Sequence, residues 1–171
     1  GLTVYRGDAF PKEFRGNVFV GDVGSNLVHR KVIEFPKDRV QPVARRAKGE
    51  EKREFLASPD NWFRPVQCAN GPDGALYIVD MYREIIEDFS AIPRFLQQQY
   101  AESLVAGRNY GRVWRLSWQE ERGASRVAAP VQLHSASVAE LVKHLENRNS
   151  WWRETAQRLL VERQDKSAID P

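Results

Sequence analysis

The residues best suited to bind or react with a ligand stand at the ends of strand-like segments. Arg64 follows two aromatic residues, and its guanidinium could hold an anionic ligand through a fork of N–H donors. The alternative is a structural arginine that pairs with Asp80 or stacks on an aromatic ring. Asp22 and Asp80 end two similar segments, where a carboxylate could be a metal ligand or base, or could cap a turn. These three residues are the first candidates for a site.

Further candidates directly follow the second of these segments. Tyr82, Arg83 and Glu84 could line a site, although Glu84 could equally favour the first turn of a helix. The three histidines show no ligand spacing with a carboxylate on one helix face, so no metal site is expected. Cys68 is the only cysteine and is expected to be a small buried apolar residue.

Two copies of one sequence pattern position the candidate residues. Residues 16–22 and 74–80 both run from Gly through aliphatic, aromatic and β-branched positions to Asp, which predicts strands. Each copy is preceded by an apolar run and followed by another strand-like run. The other predicted strands are 2–5, 27–33, 53–56, 63–69 and 111–116, and the charged stretch around 45–51 is predicted to be a solvated loop or edge strand.

The spacing of the two copies favours a β-propeller. Gly16 and Gly74 lie 58 positions apart, and a repeat of this order with about four short strands is typical of propeller blades. A generic antiparallel sandwich is the rival architecture. Because a propeller closes only with about 4–8 blades, about two antiparallel four-stranded blades are expected here and the others elsewhere in a longer protein.

Helical patterns interrupt and follow the predicted strands. An insertion at about 83–108 shows helical spacing, and Ser137 with Glu140 forms a capping box at the start of a later helix. Two short helices joined by a tight turn are the unit of an α-solenoid. The helices are predicted at 84–89, 94–104, 138–145 and about 151–163.

The sequence therefore predicts a mainly β fold with added α-helices. Residues 1–118 are assigned to the C-terminal blades of a propeller, 119–134 to a linker, and 135–171 to the start of a HEAT-like α-solenoid. The net charge of +3 is small and the basic residues are dispersed, so nucleic acid is not an expected partner. No window approaches the roughly 20 apolar residues that span a bilayer.

Several motifs, taken together and in order, resemble a known family. They are residues 62–66 (Trp-Phe-Arg-Pro-Val), 71–84 (the Gly-Pro-Asp-Gly turn and its strand), 92–93 (Ile-Pro), 107–115 (Gly-Arg-Asn-Tyr-Gly-Arg-Val-Trp-Arg) and 151–160 (from Trp-Trp-Arg-Glu). In this order the chain resembles the last propeller blades and first HEAT-like repeat of the planctomycete-type membrane-bound dehydrogenase family. The resemblance spans essentially the whole chain.

The resemblance implies an exported, periplasmic or extracytoplasmic oxidoreductase-like parent, and it allows an association with a membrane. Propellers of that family are similar to soluble sugar dehydrogenases that use pyrroloquinoline quinone and calcium, and many members carry a c-type cytochrome domain with haem. The resemblance places Arg64 at a quinone-binding arginine position, but Trp62 stands at a second such position and Gly24 near an expected lysine. The catalytic histidine and calcium ligands of those enzymes belong to blades outside these residues.

Two classes of function follow from this resemblance. The first is a piece of an exported dehydrogenase-like protein that oxidises sugars or alcohols and passes electrons to a cytochrome domain, the piece being inactive alone. The second is a non-catalytic binding or scaffold protein built from a propeller and a solenoid. The absence of a lysine near Gly24 and of an arginine at Trp62 favours this second class. The expected partners are the remaining blades and further HEAT-like repeats, and the resemblance also allows a carbohydrate substrate. A lactonase-like hydrolase would need calcium ligands from several blades, and these are not seen.

Overall fold

The computed structural model describes residues 1–118 and 132–169, which form a mixed α/β structure with antiparallel sheets and no closed barrel. The strands are β1 (Leu2–Val4), β2 (Val18–Asp22), β3 (Leu27–Glu34), β4 (Val43–Arg45), β5 (Leu56–Ala57), β6 (Pro65–Asn70), β7 (Leu76–Asp80) and β8 (Arg112–Leu116). The helices are α1 (Arg94–Gln99), α2 (Ala101–Val105), α3 (Val138–His144) and α4 (Ser150–Arg163), with short 3₁₀ turns at Lys12–Phe14, Phe89–Ala91, Leu133–Ser135 and Lys166–Ala168.

The first sheet has the strand order β1-β2-β3-β4, so neighbours along the chain pair with each other. The eight-residue β3 is long enough to pair with β4 near its end and with the two-residue β5 at its start. Phe19 on β2 and Val28 on β3 are fully buried, and the Phe19 ring meets Phe55 edge-on at 4.8 Å between centroids. Alternation of apolar and polar residues along these strands therefore builds a core, as expected of half-buried strands.

The second sheet has the order β6-β7-β8. A tight turn joins β6 to β7, with the Gly74 N–H donating to the Gly71 carbonyl at 3.0 Å and the Gly71 N–H donating to the Ala75 carbonyl at 2.9 Å. Gly74 has a φ of +78°, and a Cβ added there would lie 2.8 Å from the Ala9 main-chain nitrogen, so glycine is strongly favoured. β2 and β7 lie in different sheets, each between the strands before and after it, and both predicted strands are confirmed.

The chain divides into two compact units. The first contains residues 1–4, 17–68 and 78–114, and the second contains residues 5–16, 69–77 and 115–171. Residues 119–131 of the predicted linker lie outside the described residues, and the unit ranges interleave along the chain. The assignments to 1–118, 119–134 and 135–171 therefore stay predictions.

The second unit contains the helical hairpin. Ser137 accepts from the Glu140 N–H while Glu140 accepts from the Ser137 N–H, so the predicted capping box is confirmed. Asn149 caps α4 by accepting from the Trp151 N–H at 3.0 Å, and its amide also donates to the Gly71 carbonyl at 2.9 Å. The hairpin core consists of Leu133, Leu141 and Ala156, with Ala136, Trp151, Trp152, Leu159 and Leu160 packed against it.

The predicted helix at 84–89 is wrong. These residues run through bends into the 3₁₀ turn at Phe89–Ala91. The Arg64 guanidinium binds the carbonyl oxygens of Arg83 and Glu84, which a helix starting there would need for its own N–H groups. An arginine some 20 positions upstream thus competes with helix formation.

Two further predictions need correction of their bounds. The helix expected at 94–104 is two helices, α1 and α2, because Tyr100 leaves the helical region with φ −114° and ψ 25°. The strand expected at 53–56 is instead β5, since the chain turns at Glu50, whose carbonyl accepts from the Arg53 N–H. The charged stretch predicted around 45–51 begins at the end of the edge strand β4 and continues as a loop.

Among the described helices, none has the length and apolar character to cross a membrane.

Candidate functional site

Arg64 lies directly before β6 and joins two loops through main-chain oxygens. Its Nε donates to the Arg83 carbonyl at 2.9 Å, its Nη1 to the Val23 carbonyl at 2.8 Å and its Nη2 to the Glu84 carbonyl at 2.6 Å. The Val23 carbonyl belongs to the loop after β2, and the other two to the loop after β7. The guanidinium therefore holds together the loops that follow the two repeated strands, with all three nitrogens engaged.

Asp80, at the end of β7, is a buried carboxylate that accepts three hydrogen bonds. It is 1% exposed. One oxygen accepts from the Arg64 N–H at 2.8 Å and the Tyr82 N–H at 2.9 Å, and the other accepts from the Trp114 indole at 3.0 Å. No basic side chain of the described residues forms an ion pair with it. Its charge is balanced by N–H donors, so it caps the turn and fixes the Trp114 ring.

Tyr82 adopts an unusual backbone conformation just after β7. Its φ is +47°, in the left-handed region that aromatic residues rarely adopt. Its hydroxyl donates to Asp60 at 2.9 Å, and its ring lies 5.6 Å from the Trp62 ring. The hydrogen bond to Asp60 raises the pKa of the Tyr82 hydroxyl. The conformation therefore persists because neighbours hold the residue at its backbone, ring and hydroxyl.

Arg112, the first residue of β8, stacks on aromatic rings. Its guanidinium carbon lies 3.6 Å from the centre of the Tyr82 ring and 5.7 Å from that of Trp114. Its Nε donates to the Tyr110 carbonyl at 3.2 Å. These are cation–π distances, and they fix the plane of an exposed guanidinium.

Asp22 lies at the end of β2 and caps the next turn. One of its oxygens accepts from the N–H groups of Gly24 and Ser25, each at 3.0 Å. The hydrogen bond from the Ser25 N–H is the main reason that the pKa of Asp22 is lowered. The carboxylate thus serves the Asx turn that the sequence left open as an alternative to a ligand role.

The other Asp22 oxygen belongs to a cluster of charged side chains that was not predicted from the sequence. His29 Nδ1 lies 2.7 Å from Glu54 and its Nε2 lies 3.6 Å from Asp22. Arg46 also pairs with Glu54 and is the first cause of the lowered pKa of that carboxyl. Glu54 is 25 positions from His29 in a loop, so no local spacing could reveal the contact.

Cys68 and Asp73 have side chains that could react or bind, but their neighbours give both of them structural roles. Burial raises the pKa of the Cys68 thiol, which is 1% exposed and forms no disulfide. This confirms that Cys68 is a buried apolar residue, as predicted.

In the second unit, Asp73 pairs with Arg115 and accepts from the Tyr77 hydroxyl at 3.1 Å. Burial acts to raise the pKa of Asp73, but these partners and the Ala75 N–H outweigh it and lower the pKa.

The cofactors implied by the family resemblance do not fit these residues. Quinone binding would need N–H donors of Arg64, three of which point at main-chain carbonyls, and Trp62 and Gly24 stand at the other expected cationic positions. Attachment of haem c would need two cysteines and a histidine in one motif, whereas the chain has one cysteine. Within 1–118 and 132–169, no group of three or more His, Cys, Asp or Glu side chains could hold a metal ion.

Comparison with known proteins decides the family. The model of a family described as a domain of unknown function, DUF7133, matches residues 1–120. The chain belongs to the DUF7133 family. No curated protein and no solved structure matches the chain.

In this DUF7133 protein, the structure brings together most of the residues predicted for a site. Arg64, Asp80 and Tyr82 are linked directly by hydrogen bonds, whereas Arg83 and Glu84 take part through their carbonyls. Asp22 forms its own turn. Asp60, Arg112 and Trp114 were not predicted from the sequence. They lie far from β7 along the chain, and their only signal was the aromatic residues within and next to the segments 62–66 and 107–115.

Proposed function

We propose that this part of the DUF7133 protein is a non-catalytic segment of a larger β-propeller protein that holds a binding surface in place. The engagement of the Arg64 guanidinium by three carbonyls carries this proposal. A cofactor-binding arginine must direct donors at its ligand, whereas this one directs them at the backbone of two loops. Asp80 has the same character, because both its oxygens accept protein N–H groups.

The two sheets support the propeller assignment. A blade is a four-stranded antiparallel sheet in which strands pair in chain order. The first sheet has this order in β1-β2-β3-β4 with β5 added beside β3, and the second sheet has it with three strands instead of the predicted four. The repeated Gly-to-Asp strand is the second strand in each. The hairpin of α3 and α4 supports a HEAT-like repeat. On this proposal the partners are further blades and further helical repeats.

The second candidate is a part of an exported dehydrogenase-like protein in the periplasm. The ordered set of family motifs from Trp62 to Leu160 favours it. Quinone, calcium and haem would then be held by other parts of the parent protein, which would oxidise sugars or alcohols. The residues described here would contribute stability and substrate contacts to that activity.

A quinone titration of the full-length protein separates the two roles of Arg64. Pyrroloquinoline quinone and calcium are added to the wild type, to Arg64→Lys and to Arg39→Lys, an exposed control paired with Asp38. We expect the quinone response of Arg64→Lys to equal that of the wild type, and its unfolding midpoint to fall. Loss of quinone binding in Arg64→Lys alone, at unchanged stability, would overturn the proposal.

A further inference from the structure

We propose that Arg112, Tyr82 and Trp114 form a binding site for the carboxylate of an acidic saccharide, such as a hexuronate unit. The surroundings of Arg112 hold its side chain in place. Its plane is set by the Tyr82 ring at 3.6 Å, by the Trp114 ring at 5.7 Å and by the Nε hydrogen bond to Tyr110. A guanidinium restrained in this way loses little freedom when it binds a ligand.

The terminal nitrogens of Arg112 have no carboxylate to bind. Within the described part of the chain, no Asp or Glu oxygen lies within 4.0 Å of them, whereas Arg30, Arg46 and Arg115 each pair with one. A fixed fork of two N–H donors matches the two oxygens of a carboxylate. The site therefore selects a planar anion that arrives from solvent.

The rings beneath the arginine are themselves fixed. Asp80 accepts from the Trp114 indole at 3.0 Å and from the Tyr82 N–H at 2.9 Å, so one buried carboxylate positions both aromatic residues. Tyr82 keeps a φ of +47°, in the left-handed region that bulky residues rarely adopt. Backbone strain retained by the surrounding structure is a frequent property of ligand sites.

Asp60 distinguishes a saccharide from an acidic peptide. It is exposed and touches the hydroxyl of the same Tyr82 ring that carries Arg112. A carboxylate beside the site accepts hydrogen bonds from sugar hydroxyls, whereas the acidic side chains of a peptide carry no hydroxyl donor at neutral pH. Trp114 is 44% exposed and offers an aromatic surface to the apolar face of a sugar ring. A uronic acid has all three matching features, namely a carboxylate, hydroxyls and an apolar face.

Calorimetric titration of the full-length protein with trigalacturonate tests the site. The neutral comparison ligand is the methyl ester of trigalacturonate, and the peptide Gly-Glu-Gly tests an acidic peptide. We expect trigalacturonate to bind about tenfold or more tightly than its ester, because a charge-assisted pair is lost on esterification. Arg112→Gln should weaken binding of trigalacturonate by about tenfold, and Arg112→Lys by less, since a lysine keeps the charge and loses the fork.

Arg108→Gln is the matched control, because Arg108 is an exposed arginine that precedes the same strand and stacks on neither the Tyr82 ring nor the Trp114 ring. It should leave the affinity unchanged, and the unfolding midpoint of each variant shows that it is folded. Absence of trigalacturonate binding, equal affinity for the ester, equal affinity in Arg112→Gln, or tighter binding of the peptide would each overturn the proposal. The quinone titration above does not involve this site, so the two proposals fail independently.

Discussion

Arg64 and Arg112 lie in the same unit and both depend on Asp80, yet their environments differ. Asp80 accepts from the Arg64 main-chain N–H, and it also fixes Tyr82 and Trp114, on whose rings Arg112 stacks. Arg64 donates from all three nitrogens to main-chain carbonyls. Arg112 lies against two rings and donates only its Nε to a carbonyl. The comparison teaches that an arginine near aromatic residues is structural or ligand-binding according to where its terminal N–H groups point.

The largest expected effect is that of Asp80→Asn, because Asp80 supports both arginine environments. An amide at this position replaces one acceptor by a donor and leaves a buried N–H group facing another donor. We expect a loss of about 2–3 kcal/mol in the free energy of unfolding in urea. Asp38→Asn, at an exposed aspartate, should change it by less than about 0.5 kcal/mol. Equal effects of the two substitutions would contradict the role of Asp80.

Arg64→Lys should have the next largest effect. A lysine carries one ammonium and cannot reach three carbonyls from two loops. We expect a loss of about 1–2 kcal/mol in the free energy of unfolding. Amide hydrogen exchange should also become faster at residues 83–86, since Arg64 holds that loop. A variant as stable as the wild type, with that loop equally protected, would show that the carbonyl contacts are dispensable.

Arg115→Gln extends the comparison to an arginine that pairs with a carboxylate, that of Asp73. The pKa of Asp73 is lowered in the folded protein, so its ionised form adds stability above its unfolded pKa of about 4, and that stability is lost as the pH falls through the folded pKa. We expect Arg115→Gln to cost about 1 kcal/mol at pH 7 and less at pH 3, which lies below the unfolded pKa of an aspartate. Urea unfolding of both proteins at the two pH values measures the difference, and an equal cost at both would exclude the ion pair as its source.

Arg112→Gln should have the smallest effect on stability. Its guanidinium is exposed and its removal leaves no buried group unpaired. We expect the free energy of unfolding to change by less than about 0.5 kcal/mol, in contrast to Arg64→Lys. A cost as large as that of Arg64→Lys would make Arg112 a structural residue, and the ligand site would lose its main support.

Local patterns predicted the strands and the helical hairpin well, because these depend on alternation, capping and apolar spacing. The Ser137 capping box and the strands around Phe19 and Ile78 are examples. The prediction of a helix at 84–89 was wrong because the Glu84 carbonyl accepts from Arg64, a residue distant along the chain.

The candidate site was predictable only in part, for the same reason. Arg64, Asp80 and Tyr82 were found from their places beside the repeated strand. The indole of Trp114 reaches Asp80 across 34 positions of sequence that include the whole insertion, and no periodicity encodes that distance. The carbonyl partners of Arg64 carry no sequence signal at all, since any residue supplies a carbonyl.

The most direct test of the contrast between the two arginines is the exchange of their guanidinium protons with water, followed by nitrogen-15 NMR of the full-length protein. We expect the Nε and Nη protons of Arg64 to exchange slowly and to give separate signals, because each nitrogen donates to a carbonyl. The Nη protons of Arg112 should exchange fast and give an averaged signal until trigalacturonate is added. Fast, averaged Nη signals from Arg64 would contradict its structural role.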